Sequence, residues 1–309
     1  SDIGDLMFPI IPANSAAVAG NQEGIFGFGS IAGTNLVSSA GVVASDVTQV
    51  GTNRSDLAGT QYGDDKGIFS FGAGATGFTN LVSNAGVVAN DVTQVGTNRS
   101  QLAACSYGTD RDKGIFGFGE DPPSTLTAIT NLVSNAGVVA SDQAATTGTD
   151  RERLAACEYG DDKGIFGFGR TAAYVSMTNL VSNTGVIASD VTGVGFSRML
   201  LAACAFGGDQ GIFGFGAPGD GIVPSDADYA SMTNIVSNTG VVASDTLGVS
   251  ATGRKHTAAC EYGGDKGIFG FGNPGPTSDT NLISNTGVCG SDVTGIGTAK
   301  TGLAACSFN

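Results

Sequence analysis

The hydrophobic and polar positions recur in boxes with the patterns of short β-strands. GIFGFG alternates glycine with large apolar residues, so its two Phe residues are predicted to share one strand face and its glycines the other. LAACxYG predicts a strand of small residues, and Gly/Asp clusters such as 160–164 predict a tight hairpin between these two strands. NLVSNxGVVAS predicts a third strand and DVTGVGT a fourth. Each unit is therefore predicted to contain four strands.

The boxes form a repeat with six copies. GIF(G/S)FG begins at Gly24, Gly67, Gly114, Gly164, Gly211 and Gly267. The sequence opens on this box without a preceding LAAC box, and it closes on LAACSFN at 303–309 without a following GIFGFG box. The two ends are thus complementary halves of one unit. Units of this length with four strands are typical of β-propellers. We predict an all-β fold over 24–309, a six-bladed β-propeller with four-stranded blades, closed by pairing of the N- and C-terminal strands, and a separate extension over 1–23.

The order of elements resembles a Kelch-type β-propeller repeat across residues 24–309. A basic residue is followed by a small apolar strand, a turn, GIFGFG, a variable loop and two further strands. Two departures are a Phe-Gly pair where Kelch repeats carry Gly-Gly, and the absence of Trp. The near-identical LAACxYGxDKGIFGFG units also resemble repeats in predicted tail or appendage proteins of marine bacteriophages, and this resemblance implies a virion location.

Composition excludes several classes of protein. The chain has 309 residues and 50 Gly without a Gly-X-Y period, so it is not collagen-like, and 41% hydrophobic residues are too many for a disordered chain. No apolar run approaches 18 residues, so no membrane insertion is expected. The net charge of −14 argues against nucleic acid as a partner. Residues 1–20 lack the basic start of a signal peptide, and a leader removed before Ser1 stays open.

Five of the six cysteines occupy one repeat position. They are Cys105, Cys157, Cys204, Cys260 and Cys306, while Thr60 takes the sixth copy and Cys289 lies in another box. Equivalent positions on six blades are expected to exceed the Cα separation of about 5.5 Å that a disulfide needs. We therefore predict buried small hydrophobic residues. No zinc-type spacing such as C-x₂-C occurs, so no metal and no cofactor is predicted.

Each unit also carries one basic residue, eight or nine positions after an Asp. The basic residues are Arg54, Arg99, Arg151, Arg198, Arg254 and Lys300, and the acids are Asp46, Asp91, Asp142, Asp190, Asp245 and Asp292. One interpretation is a ring of cations at a pore mouth that binds an anion. The favoured interpretation is a set of ion pairs that join neighbouring blades, because a buried charge must be paired.

No catalytic site is predicted. The single histidine, His256, lies at a blade junction without an evident partner. The acids of the hairpin turns, such as Asp64 and Asp161, lack a calcium-loop pattern and are predicted to be solvated. The glycines of GFG do not open a helix, so a dinucleotide site is excluded. We therefore expect a protein that is not an enzyme.

Loop length is what breaks the repeat. The connections between GIFGFG and TNL contain 4, 6, 10, 8, 16 and 7 residues, the longest at 217–232. Variable loops on a rigid scaffold often carry binding. We predict contacts on this face from Asp226, Asp228, Tyr229 and Tyr174, with neutral drift of the loops as the alternative.

The sequence leaves two classes of function. The first is a structural or adhesion module in a virion or outside the cell, binding a host receptor or glycan through its variable loops. The apolar stretch LMFPIIP within 1–23 would then attach it to other virion or surface-assembly proteins. The alternative is a lectin that binds glycans or small ligands at repeated sites between blades.

Overall fold

The computed structural model describes residues 22–48, 50–73, 77–93, 95–143, 148–219, 229–247 and 251–308. The described chain is built from β-strands, with one short 3₁₀ turn at Thr109–Arg111. The predicted all-β class is confirmed.

Three main strands form each of six antiparallel sheets, in the order first, second, third. First strands, from the LAAC boxes, are Ala304–Phe308, Ala58–Tyr62, Ala103–Tyr107, Ala155–Tyr159, Ala202–Phe206 and Ala258–Tyr262 for sheets 1 to 6. Second strands, from the GIFGFG boxes, are Glu23–Gly27, Lys66–Ser70, Lys113–Gly117, Lys163–Gly167, Gln210–Gly214 and Lys266–Gly272. Third strands are Thr34–Val37, Phe78–Val82, Thr130–Val133, Thr178–Val181, Met232–Val236 and Thr277–Ile283.

The predicted third strand is too long. In sheet 1 it ends at Val37, and Val43 then bridges back to Val37. The reversal is local, because the N–H of Val42 donates to Ser38 Oγ and Gly41 adopts a φ of 77° that favours glycine. The residues GVVAS therefore run back beside the third strand.

Within the described ranges, a fourth strand forms in two of the six sheets. These strands are Val92–Thr93 and Thr246–Leu247. In the other four sheets, isolated bridges such as that between Thr34 and Val47 take its place. Two further short pairs lie outside the main sheets, and they are Glu120–Asp121 with Thr125–Leu126 and Arg198–Met199 with Ala217–Pro218.

Both ends of the chain contribute to sheet 1. Its second strand pairs with the C-terminal strand from Glu23 opposite Phe308 to Gly27 opposite Ala304. The phase of the repeat predicts this pairing. Each first strand contacts the first strand of the next sheet, and that of sheet 1 contacts those of both sheet 6 and sheet 2, so the series returns to its start.

The hydrophobic core is divided into six clusters, one between each pair of neighbouring sheets. Phe26 of sheet 1 packs against Phe271 of sheet 6 with ring centroids 5.2 Å apart. Phe28 packs instead against Phe69 of sheet 2 at 5.3 Å. The prediction that both Phe residues share one face is wrong, because the strand ends at Gly27 and Phe28 adopts a left-handed φ of 64°.

The cysteines fill space between sheets, as predicted. All six are buried and unpaired. A β-carbon on Gly24 of sheet 1 would lie 2.5 Å from Cys260 Sγ of sheet 6, so glycine is required for this approach. Thr60 replaces cysteine at the same kind of contact, with its methyl group facing Gly114. The position therefore selects for side-chain volume.

Candidate functional site

The six basic residues lie between sheets. Each is at most 2% exposed. Arg151 is typical: its guanidinium lies 4.2 Å from the Phe118 ring centroid of sheet 3, and its Nε donates to the Phe168 carbonyl of sheet 4 at 3.0 Å. Its Nη1 lies 3.8 Å from Asp190 Oδ1. Arg151 thus joins two sheets, and burial lowers its pKa to about 10.

The acid of each unit is held by polar neighbours. Asp190 accepts hydrogen bonds from the backbone and hydroxyl of Thr149 and from Asn179. Burial raises the pKa of Asp190, but these hydrogen bonds and the charge of Arg151 outweigh burial and lower it overall. The interpretation of the six basic residues as an accessible anion-binding ring is not supported, because their charged groups are buried and bonded between sheets.

A second set of six residues surrounds a cavity on the side of the variable loops. We call Asp56, Gln101, Arg153, Leu200, His256 and Gly302 the mouth ring. Each lies two positions after a basic residue of the previous set and has a positive φ. Five backbone hydrogen bonds of 2.8–2.9 Å link successive members, such as Gln101 N to Asp56 O. These hydrogen bonds therefore fix the backbone positions from which the side chains of the ring project.

The cavity inside the mouth ring is a small hollow that opens to solvent. Its volume is about 70 Å³, which leaves room for a few water molecules or for one small group of a larger partner. Its remaining wall consists of Thr257 and four leucines, which are Leu102, Leu154, Leu201 and Leu303. The repeated leucines supply an apolar floor, while the mouth ring carries a different residue in each copy.

His256 lies in this cavity wall and faces a carboxylate. Its Nδ1 is 3.9 Å from Asp56 Oδ1. Gly302 stands between them in the mouth ring and has no side chain to separate them. Burial lowers the pKa of His256, and Asp56 opposes that shift. The predicted junction position of His256 agrees with the structure, but the prediction that it lacks a partner is wrong, because Asp56 lies within ion-pair distance. The distance exceeds a hydrogen bond, so the pair is not a catalytic dyad in this geometry.

A network of charged side chains extends the mouth ring outward over sheets 3 and 4. The Arg153 guanidinium donates to the Gln101 side chain, whose Nε2 donates to Glu120 Oε1 at 2.8 Å. Glu152 is fully buried and lies 2.7 Å from Arg170 Nη2. The network reaches the first residues of the loops at 120–129 and 170–177.

The predicted loop residues lie on the same face where they are described. Tyr174 is half-buried and its backbone bridges to Arg170. The Lys255 ammonium lies 4.8 Å from the Tyr229 ring centroid, and Lys255 directly precedes His256. Asp226 and Asp228 lie outside the described residues.

Sequence reasoning missed the mouth ring as a site. Its signal is a position of changing identity beside repeated leucines, as in Asp56-Leu57 and Arg153-Leu154. In the sequence alone, a repeat position that changes between copies cannot be told from neutral sequence drift. Only the fold shows that the six copies of this position surround one cavity.

Comparison with known proteins adds no family assignment. No protein-family model matches the chain, and no curated protein matches it significantly. Within the described ranges, no helix is long and apolar enough to cross a membrane.

Proposed function

We propose that this chain is a non-enzymatic binding module, a closed six-bladed β-propeller that engages one partner at the mouth ring. Three features support the propeller. The first strands contact one another in a cyclic series, sheet 1 draws strands from both ends of the chain, and the inter-sheet ion pair recurs where Lys300 lies 3.6 Å from Asp46. The last contact links the end of the repeat to its beginning.

One observation carries the proposed function: the mouth ring has six different residue types around one cavity. Scaffold positions such as the buried arginines and phenylalanines are almost invariant between copies. The mouth ring instead combines an acid, an amide, a guanidinium, an apolar group and an imidazole. A site of this kind has polar groups that fix ligand orientation above an apolar floor.

The repeated inter-blade sites of a lectin are less favoured. The equivalent positions between sheets are filled by a buried phenylalanine pair, an Asn and a basic residue in every copy. At one such junction, Arg198 bonds to the Phe215 carbonyl and to Asn234 and lies 3.3 Å from Asp245. A glycan would have to displace these contacts, so we propose one site per chain.

The biological setting is part of the same proposal. The resemblance to phage appendage repeats supports an adhesion or structural role in a virion or outside the cell. The partner at the mouth ring would be a host receptor or glycan, and residues 1–23 would attach the module to its assembly. Residues 1–21 lie outside the described residues. Mass spectrometry of purified virions tests the location.

Binding stoichiometry tests the function. The full chain is screened on a glycan array and against host surface extracts, and the best binder is titrated by calorimetry. We expect one site per chain, with affinity reduced at least tenfold by Arg153→Ala or His256→Ala. Lys66→Ala, in a hairpin turn beside Asp65, is the matched control and should bind normally. Six equal sites, or binding that survives both mouth substitutions, would refute the proposal.

A further inference from the structure

A second cavity lies farther along the first strands, at their hairpin ends. Its volume is about 50 Å³, and it is lined by all six first strands. Many of the side chains in its wall are small, namely those of alanines and five cysteines. Burial raises the pKa of thiols such as that of Cys157 well above the ordinary value, so these thiols are neutral. We call this space the central cavity.

Two carboxylates from this wall face one guanidinium. Glu158 and Glu261 both line the central cavity, and Glu261 is only 3% exposed. Arg111, from the 3₁₀ turn of sheet 3, forms an ion pair with Glu261 of sheet 6 and donates to the Gly208 carbonyl at 3.1 Å. Glu158 accepts a hydrogen bond from the Ser106 hydroxyl. When both carboxylates are ionised, the three groups therefore carry one negative charge in excess.

The polar groups around Glu261 do not complete its shell. Its Oε1 is buried and accepts no hydrogen bond of normal geometry. Burial raises the pKa of Glu261, while Arg111 and the Gln22 amide oppose that shift and Glu158 adds to it. A buried carboxylate whose hydrogen-bond shell is incomplete is costly, and a cation relieves that cost.

The surrounding hairpins favour the approach of cations. Asp64, Asp110 and Asp161 lie in the turns at this end of the sheets. The charge of Asp161 adds to the carboxylates that raise the pKa of Arg111. Burial raises the pKa of Asp64, and the charge of Asp110 raises it further. Four of the hairpins also carry a lysine paired with a neighbouring acid, such as Lys66 with Asp65, but the acids of the turns outnumber the lysines. A region of net negative charge around a cavity raises the local concentration of cations.

We propose that the central cavity binds one small monovalent cation beside Glu158 and Glu261. Monovalent charge matches the excess of one carboxylate over the guanidinium. Within the described ranges, no group of three His, Cys, Asp or Glu side chains is placed to hold a metal ion, so the proposed cation has these two carboxylates as its charged ligands. The site is separate from the mouth ring, and it does not depend on the function proposed there.

Thermal unfolding of the full chain in different salts tests this site. The midpoint is measured at pH 7 in potassium or sodium chloride, with N-methylglucamine chloride keeping ionic strength constant. Above the dissociation constant, we expect the midpoint to rise by roughly 2 °C per tenfold increase in the concentration of the small cation. Glu261→Gln should abolish this dependence, whereas Asp265→Asn, in a hairpin outside the cavity wall, should retain it.

The outcomes separate the cation from its alternatives. Glu158→Gln gives a second test if the first variant does not fold, and it should also abolish the dependence. Equal midpoints in small and bulky cations overturn the proposal. A midpoint that depends on pH but not on the cation also overturns it, because a shared proton then balances the charge. A cation dependence that persists in both Gln variants overturns it as well.

Discussion

Replacing Arg151 by alanine should destabilise the whole molecule, although this residue lines neither the central cavity nor the cavity of the mouth ring. The side chain is fully buried between sheets 3 and 4. Without this side chain, the Phe168 carbonyl loses its charged hydrogen-bond donor. The Phe118 ring loses its cation–π contact, and Asp190 loses its ion-pair partner. The cation–π contact recurs at all six junctions, whereas the hydrogen bond to a Phe carbonyl is formed by Arg54, Arg151 and Arg198. One substitution therefore reports on the stacking that all junctions share and on the hydrogen bond that three of them have.

The magnitude follows from these contacts. A hydrogen bond from a charged group contributes about 1.5–3 kcal/mol, and a desolvated cation–π contact about 1–2 kcal/mol. Asp190 keeps its hydrogen bonds to Thr149 and Asn179, so removing Arg151 takes away only part of the stabilisation of this carboxylate. We expect Arg151→Ala to lower the free energy of unfolding by about 3–4 kcal/mol. Arg151→Lys should cost only about 1–1.5 kcal/mol, because Lys300 fills this role naturally with bonds to Gly33 and Asn35.

Urea denaturation followed by circular dichroism and by tyrosine fluorescence measures the difference. The alanine variant should unfold at lower urea with both probes in step, and the lysine variant should lie between it and the parent chain. A loss below about 1 kcal/mol for the alanine variant would refute the reasoning. So would equal losses for alanine and lysine, since the charge would then contribute nothing.

Three further predictions concern closure, packing and acid stability. Deleting 304–308 should remove the partner of strand Glu23–Gly27, expose sheet edges and give aggregation by light scattering; an unchanged monomer with the same melting temperature would exclude a closed ring. Gly211→Ala should cost about 2–4 kcal/mol in urea unfolding, because its new methyl group would lie 2.6 Å from Cys157 Sγ. Burial raises the pKa of Asp46, but hydrogen bonds from Thr298 and Asn35 and the charge of Lys300 outweigh burial and lower this pKa to about 2. Its stabilisation is therefore complete above about pH 4 and is lost as pH falls towards 2, so Asp46→Asn should flatten the pH dependence of unfolding there.

The candidate sites were far less predictable than the scaffold. The variable-loop face was identified from loop lengths, and Tyr174 and Tyr229 lie there. The mouth ring and the pairing of Arg111 with Glu261 were not identified. These two residues are 150 positions apart and meet only because sheets 3 and 6 face the same cavity.

The sequence by itself determined the repeat, the first two strands of each sheet with their hairpin, the pairing of the two chain ends, and the burial of the cysteines. These features follow from local alternation, turn residues and the phase of the repeat. The tertiary structure decided where the third strand ends, which neighbour Phe28 contacts, and that the basic residues join sheets. Each of these depends on the adjacent sheet, because a left-handed residue or a buried charge is stable only where a neighbouring sheet supplies its contacts.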